Sequence, residues 1–273
     1  MEKTKKLPVI YIPHGGGPWP LMKDAYGDPA PYDRLEAYLR GFGESMKDKI
    51  ESILVVSAHW EEPKPTLHFG EKPGMLYDYG GFPDYTYRIS WPAPGDPVLA
   101  SRAAALLAAA GIATAREDKR GYDHGTFVPL MLAFPEASIP VAQLSLVNGL
   151  DPAAHFAIGK ALEPLRAEGV LVIGSGMSYH NMRGFMSDDP RVMAVSKQFD
   201  DWLAETVALA DPEERRIRLV EWKRAPGALE CHPRSDHLVP LFVVAGAAGA
   251  DIGRRDYGAE LMGVQVSSHL FGA

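Results

Sequence analysis

Ile53-Leu-Val-Val-Ser57-Ala-His59-Trp60 opens with an unbroken apolar run in which three of four residues are β-branched. A short run that is apolar at every position reads as a strand buried on both faces, as in a parallel sheet. Runs of the same kind recur at Pro8–Ile12, Val141–Leu146, Val170–Ile173 and Val264–His269. Between them lie longer segments with helical spacing: Tyr32–Lys49, Pro97–Ala110, Thr126–Phe134, Pro152–Glu168, Pro190–Leu209 and Asp236–Ala248. Asp151-Pro152 and Asp189-Pro190 are helix-start signals, because the carboxylate caps and the proline tolerates the first turn. Strands alternating with helices predict an α/β fold, with a central, mostly parallel sheet flanked by helices. No repeat or linker divides the chain, so residues 1–273 are expected to form a single domain.

The chain has 273 residues, 28 Lys+Arg against 35 Asp+Glu for a net charge of −7, and 46% hydrophobic residues. This composition excludes a disordered or collagen-like chain. Its basic residues are scattered in an acidic background, which argues against nucleic acid and points to small-molecule ligands. The lone cysteine, Cys231, permits neither an internal disulfide nor a cysteine zinc site, and suits a reducing cytoplasm. Met1–Lys6 is basic, but the apolar run Leu7–Pro13 is too short for a secretory signal, so none is expected. Leu238–Ala248 is about half the roughly 20 apolar residues of a membrane span, so no membrane association is expected.

Nine histidines are present, and five fall at junctions between elements. His14 follows the first strand and opens His14-Gly-Gly-Gly-Pro18, and His59 follows the Ile53 strand. Strand ends line the ligand crevice of an open α/β sheet, so these imidazoles are placed to converge on a metal ion. His237 is expected in the first turn of the last helix, capped by Ser235 or Asp236. His180 follows Gly174-Ser-Gly176 after the fourth strand, and His124 stands in Asp123-His124-Gly125 before the helix at Thr126. His68, His155 and His269 lack this setting and are read as structural or surface residues, and His232 as a support for the site. An imidazole or imidazole–carboxylate site suits Fe(II), Zn, Mn, Ni or Cu. There is no His-Glu-x-x-His, no Gly-x-Ser-x-Gly and no phosphate loop. The aromatic, glycine-rich stretch from Pro63 to Pro97 is expected to form a lid or pocket wall.

His14-Gly-Gly-Gly-Pro, Ser57-Ala-His59-Trp, Tyr77-Asp-Tyr-Gly-Gly-Phe-Pro83, Asp123-His124-Gly, Gly174-Ser-Gly with His180-Asn, and His232-Pro with His237 occur in this order from His14 onward. The set resembles the class III extradiol ring-cleaving dioxygenases, and most nearly the 4,5-DOPA dioxygenase branch. The resemblance implies a non-haem Fe(II) that opens a catechol-type ring with O2 to a muconic semialdehyde, which cyclises if an amine is in reach. It implies His14, His59 and His237 as metal ligands, with Glu230 and Asp236 as alternatives for the third. His180 is assigned as acid–base residue or, particularly if zinc occupies the site in crystals, as a fourth ligand, and His124 as an orienting group. Gly16-Gly17 departs from the family's His-Gly-Ser-Pro and removes any contact made by that serine. Tyr77, Phe82, Tyr85 and Trp91 are the expected ring contacts, and Arg120, Arg183 or Arg234 the partner of a substrate carboxylate. Alternatives are a zinc-dependent hydrolase on the same histidines and a non-catalytic signalling relative. Partners are a small catechol and O2; an oligomer is compatible with the sequence.

Overall fold

The computed structural model describes residues 6–272. Of the basic N-terminal run, only Lys6 falls among them. In chain order the regular elements are β1 (Val9–Pro13), α1 (Ala30–Met46), β2 (Ser52–Glu62), β3 (Thr66–His68), α2 (Pro97–Ala109), β4 (Ala115–Glu117), α3 (His124–Ala133), β5 (Val141–Val147), α4 (Pro152–Leu162) and β6 (Val170–Gly176). There follow α5 (Pro190–Val207), α6 (Pro212–Val220), α7 (Ala228–Cys231), α8 (Val239–Ala248), β7 (Gly253–Leu261) and β8 (Val264–Phe271). Eight strands make one sheet in the order β4-β3-β5-β2-β6-β1-β8-β7. Its centre, β5-β2-β6-β1, is parallel throughout. β8 joins β1 antiparallel and carries β7 as a hairpin partner.

The central strands are buried along their apolar runs, as two-sided coverage requires. α8 lies against β6, β1 and β2 on one face with α4 packed behind it, while α3 and α1 cover the other. The buried apolar side chains of both faces join in one cluster. α2, α4, α5 and α6 begin at Asp-Pro, and each capping carboxylate accepts a backbone N–H of the first turn. No helix among the described residues is long and apolar enough to cross a membrane.

Several boundaries differ from expectation. β2 runs on to Glu62, with a register shift against β5 between Val56 and Glu61, so His59 lies within an irregular strand rather than beyond it. α3 starts at His124, with Asp123 as its cap. α8 starts at Val239, where Leu238 and Val239 donate backbone N–H to the Ser235 carbonyl; His237 therefore sits in the preceding turn, and neither Ser235 nor Asp236 caps the helix through its side chain. The helix expected to reach Glu168 tightens into a 3-10 turn at Glu163–Glu168.

Candidate active site

β1, β2 and β6 are neighbours or next-neighbours, so the residues at their carboxyl ends share one crevice. β1 delivers His14, whose backbone N–H donates to the Gly176 carbonyl at the end of β6 (3.1 Å). Gly15 takes φ +76° there, and a Cβ on it would strike the Trp19 indole, so glycine is required. The irregularity in β2 re-aims the backbone at His59, as a bulge does next to a functional site. Arg120 donates to the His59 carbonyl (3.0 Å) and to Asp123 Oδ2 (2.9 Å), while Asp123 Oδ1 accepts from Ser57 (2.7 Å). This network ties the β2 distortion to the start of α3. The Tyr11 hydroxyl donates to the His237 carbonyl at 2.7 Å and fixes the turn before α8.

His14, His59 and His237 meet, with ligand nitrogens all within 4.8 Å of one another. His59 Nε2 is 3.2 Å from His14 Nε2 and 3.3 Å from His237 Nε2. Their Nδ1 atoms face oxygens: Gly15 O for His14 (2.7 Å), Asp236 Oδ2 for His237 (3.0 Å) and Asp78 Oδ2 for His59 (3.5 Å). With the proton held on Nδ1, the Nε2 lone pairs face one another, an unfavourable arrangement that a cation relieves, and orientation through the second nitrogen is the usual support for a metal-binding histidine. Burial first, then the neighbouring imidazoles, holds all three well below the ordinary histidine range, so they are neutral donors. The donor set fits a divalent transition metal.

Around them stand His124 and His180. The His124 ring lies 4.0 Å from that of His59, and its Nδ1 is 2.8 Å from Asp78 Oδ1. The His180 ring stacks on His237 at 3.3 Å, and burial, followed by the neighbouring His124 imidazole, lowers its pKa to about 4. Asp78 thus serves His59 and His124 together. Burial pushes its carboxyl up, but the side-chain and backbone bonds from His124 outweigh this and leave it below the usual range. Asp78 stands in the quoted Tyr77–Pro83 motif, and nothing local in the sequence shows which way a residue in an irregular loop points.

The five rings open on a cavity of about 390 Å³ that Phe82 also lines. Other expected contacts lie elsewhere. Tyr77 donates to the Ile89 carbonyl (2.6 Å), Tyr85 is 51% exposed, and Trp91 is a core residue bonded to the Phe134 carbonyl. Tyr79, not singled out from the sequence, lines the cavity. Arg120 is spent on the His59 backbone, Arg234 pairs with Glu61 and Asp236, and Arg183 and the exposed Glu230 line a separate cavity. Asp236 Oδ2 lies 3.0 Å from His237 Nδ1, and Asp236, His180 and His237 offer ligand atoms within 4.8 Å of one another. His232 is buried and donates from Nε2 to the Ser178 carbonyl (3.0 Å), bracing the turn that carries His180. His68, His155 and His269 are buried away from the cavity.

Residues 12–273 match the family described as the catalytic LigB subunit of aromatic ring-opening dioxygenase. The chain belongs to the LigB family. It is similar to the 4,5-DOPA dioxygenase extradiol of Beta vulgaris, at 44% identity over 76% of this chain and 79% of that one. The dioxygenase tasH of Hapsidospora irregularis is 36% identical over 97% of this chain and 85% of its own. Among solved structures, an uncharacterized protein of Escherichia coli K12 superposes with a TM-score of 0.76 at 25% identity, covering 98% of this chain and 100% of that one. As a LigB member with these relatives, the protein is an extradiol dioxygenase.

Proposed function

We propose that the whole chain is one catalytic domain that cleaves a catechol-type substrate next to its paired hydroxyls, with Fe(II) held by Nε2 of His14, His59 and His237. The convergence of those three nitrogens, each backed by an oxygen at Nδ1, carries this reading. DOPA is the substrate that the names of several relatives point to. Held by these three nitrogens, Fe(II) would supply Lewis acidity and the electron transfer that lets O2 react with the ring.

This chain's own residues then position the diol and handle its protons. His180, neutral and lining the cavity, accepts a proton from a substrate hydroxyl and returns it as the ring opens. His124, its Nδ1 held by Asp78, lines the cavity and orients the diol or the oxygen beside it by hydrogen bond. Phe82 and Tyr79 stack near the ring and keep water out. The overall change inserts both atoms of O2, breaks one ring C–C bond and leaves an aldehyde and a carboxylate in a muconic semialdehyde. The easily oxidised metal and the buried, unpaired Cys231 suit a reducing compartment such as the cytoplasm.

The test is oxygen uptake with a catechol by protein loaded with Fe(II) and, separately, with zinc. Equimolar O2 consumption and a yellow product in the iron sample alone is the expected result. Ester or amide hydrolysis by the zinc sample, with no oxygen uptake by the iron sample, would sink the proposal in favour of a hydrolase.

A further inference from the structure

The cavity beside the histidines is walled by Met177, Met182, Met186, Met262, Phe82 and Phe185. Among the described residues, no Lys, Arg, Asp or Glu lines it. Its two phenol groups are already committed, Tyr26 donating to the Gly16 carbonyl (2.9 Å) and Tyr79 to that of Thr86 (2.7 Å). Beyond the imidazoles and the backbone of Gly15, Gly16 and Gly17 beside His14, the side chains of the wall therefore offer a substrate sulfur and aromatic carbon. The methionines come from two segments locked together: Met186 N–H donates to the Met262 carbonyl at 2.7 Å, and Met262 occupies the left-handed turn between β7 and β8 with φ +52°. Met182 and Met186, 72% and 66% exposed, form the rim.

We propose that the preferred catechol carries an uncharged, apolar substituent, with the four methionines as its specificity-determining contacts. The claim rests on the extradiol reading above and narrows it. A carboxylate or ammonium on a substituent lying against the methionines would find no charged side chain there among the described residues, a loss on the order of tenfold to a hundredfold in affinity. An alkyl group gains instead, by about fourfold for each methylene it buries. Thioether side chains are flexible and polarizable, so they follow the shape of such a group without a fixed slot.

Two measurements on the full-length protein test this. Zinc-loaded protein, unable to use oxygen, is titrated calorimetrically with 4-methylcatechol, 4-ethylcatechol, protocatechuate and DOPA, and Fe(II)-loaded protein is assayed with the same four. The expected order places the alkyl catechols at least about tenfold ahead of the charged ones in both affinity and kcat/KM. Met182→Lys, a change at an exposed rim position, is expected to raise binding of protocatechuate and lower that of 4-ethylcatechol. Equal or tighter binding of protocatechuate or DOPA by the unaltered protein overturns the proposal, as does failure of the alkyl catechols to bind. If the binding order holds while no catechol consumes oxygen, the reaction assignment fails and the account of the wall stands.

Discussion

Asp78 faces two imidazoles with one carboxylate, Oδ1 toward His124 and Oδ2 toward His59. Asp78→Asn keeps the shape but loses the charge that holds Nδ1–H on both rings. It is expected to cost about tenfold to a hundredfold in metal affinity or activity, read by competition with a chromogenic chelator and by kcat. His14→Ala, His59→Ala and His237→Ala each remove one of three converging nitrogens and should abolish stoichiometric metal binding in the same assay, with far-UV circular dichroism unchanged. Retention of one tightly bound metal by any of the three would remove that residue from the ligand set. The positions of these histidines were legible because each abuts a buried apolar run or helix. Asp78, Tyr77 and Tyr85 were not, since in an irregular loop tertiary packing alone decides which side chain faces inward.

At the level of elements, α4 and α8 pack through glycines. A Cβ on Gly159 would run into the Val243 carbonyl, and one on Gly246 into that of Phe156. Gly159→Ala is expected to destabilise the protein by about 1–3 kcal/mol through overpacking, seen as a drop of several degrees in Tm. An unchanged Tm would mean that the two helices part at no cost. Long elements were readable because a buried parallel strand and a capped helix both leave local marks. Asp211-Pro212 carries the same start signal as the other helices, and α6 was overlooked because its charged Glu-Glu-Arg-Arg run hides the apolar stripe. β3 and β4 have three residues each, and β7 is half-buried or exposed over most of its length with few apolar positions, so none shows a strand's period. The extension of β2 through His59 depends on pairing with β5, which is not written in β2 itself.

Across the whole molecule, buried neutral histidines set the response to acid. Burial lowers His232 and His269 to about 3, and His155 below its ordinary value, and none of the three lines the cavity. In the unfolded chain they titrate near 6.5, so below that pH the unfolded state binds more protons. Their contribution to stability is complete above about pH 6.5 and is lost as pH falls toward the folded values, by about 1.4 kcal/mol per pH unit for each fully buried group. Urea unfolding of metal-free protein between about pH 7 and pH 5 should show this slope, reduced by about one such increment in His269→Gln; a flat profile contradicts it. The three proposed metal ligands come from the end of β1, the distorted part of β2 and the turn before α8, and are thus spread over most of the polypeptide. Under that ligand set, a nascent chain still short of position 237 lacks the third nitrogen, so full coordination waits for the turn before α8, as a closing act of assembly rather than its seed.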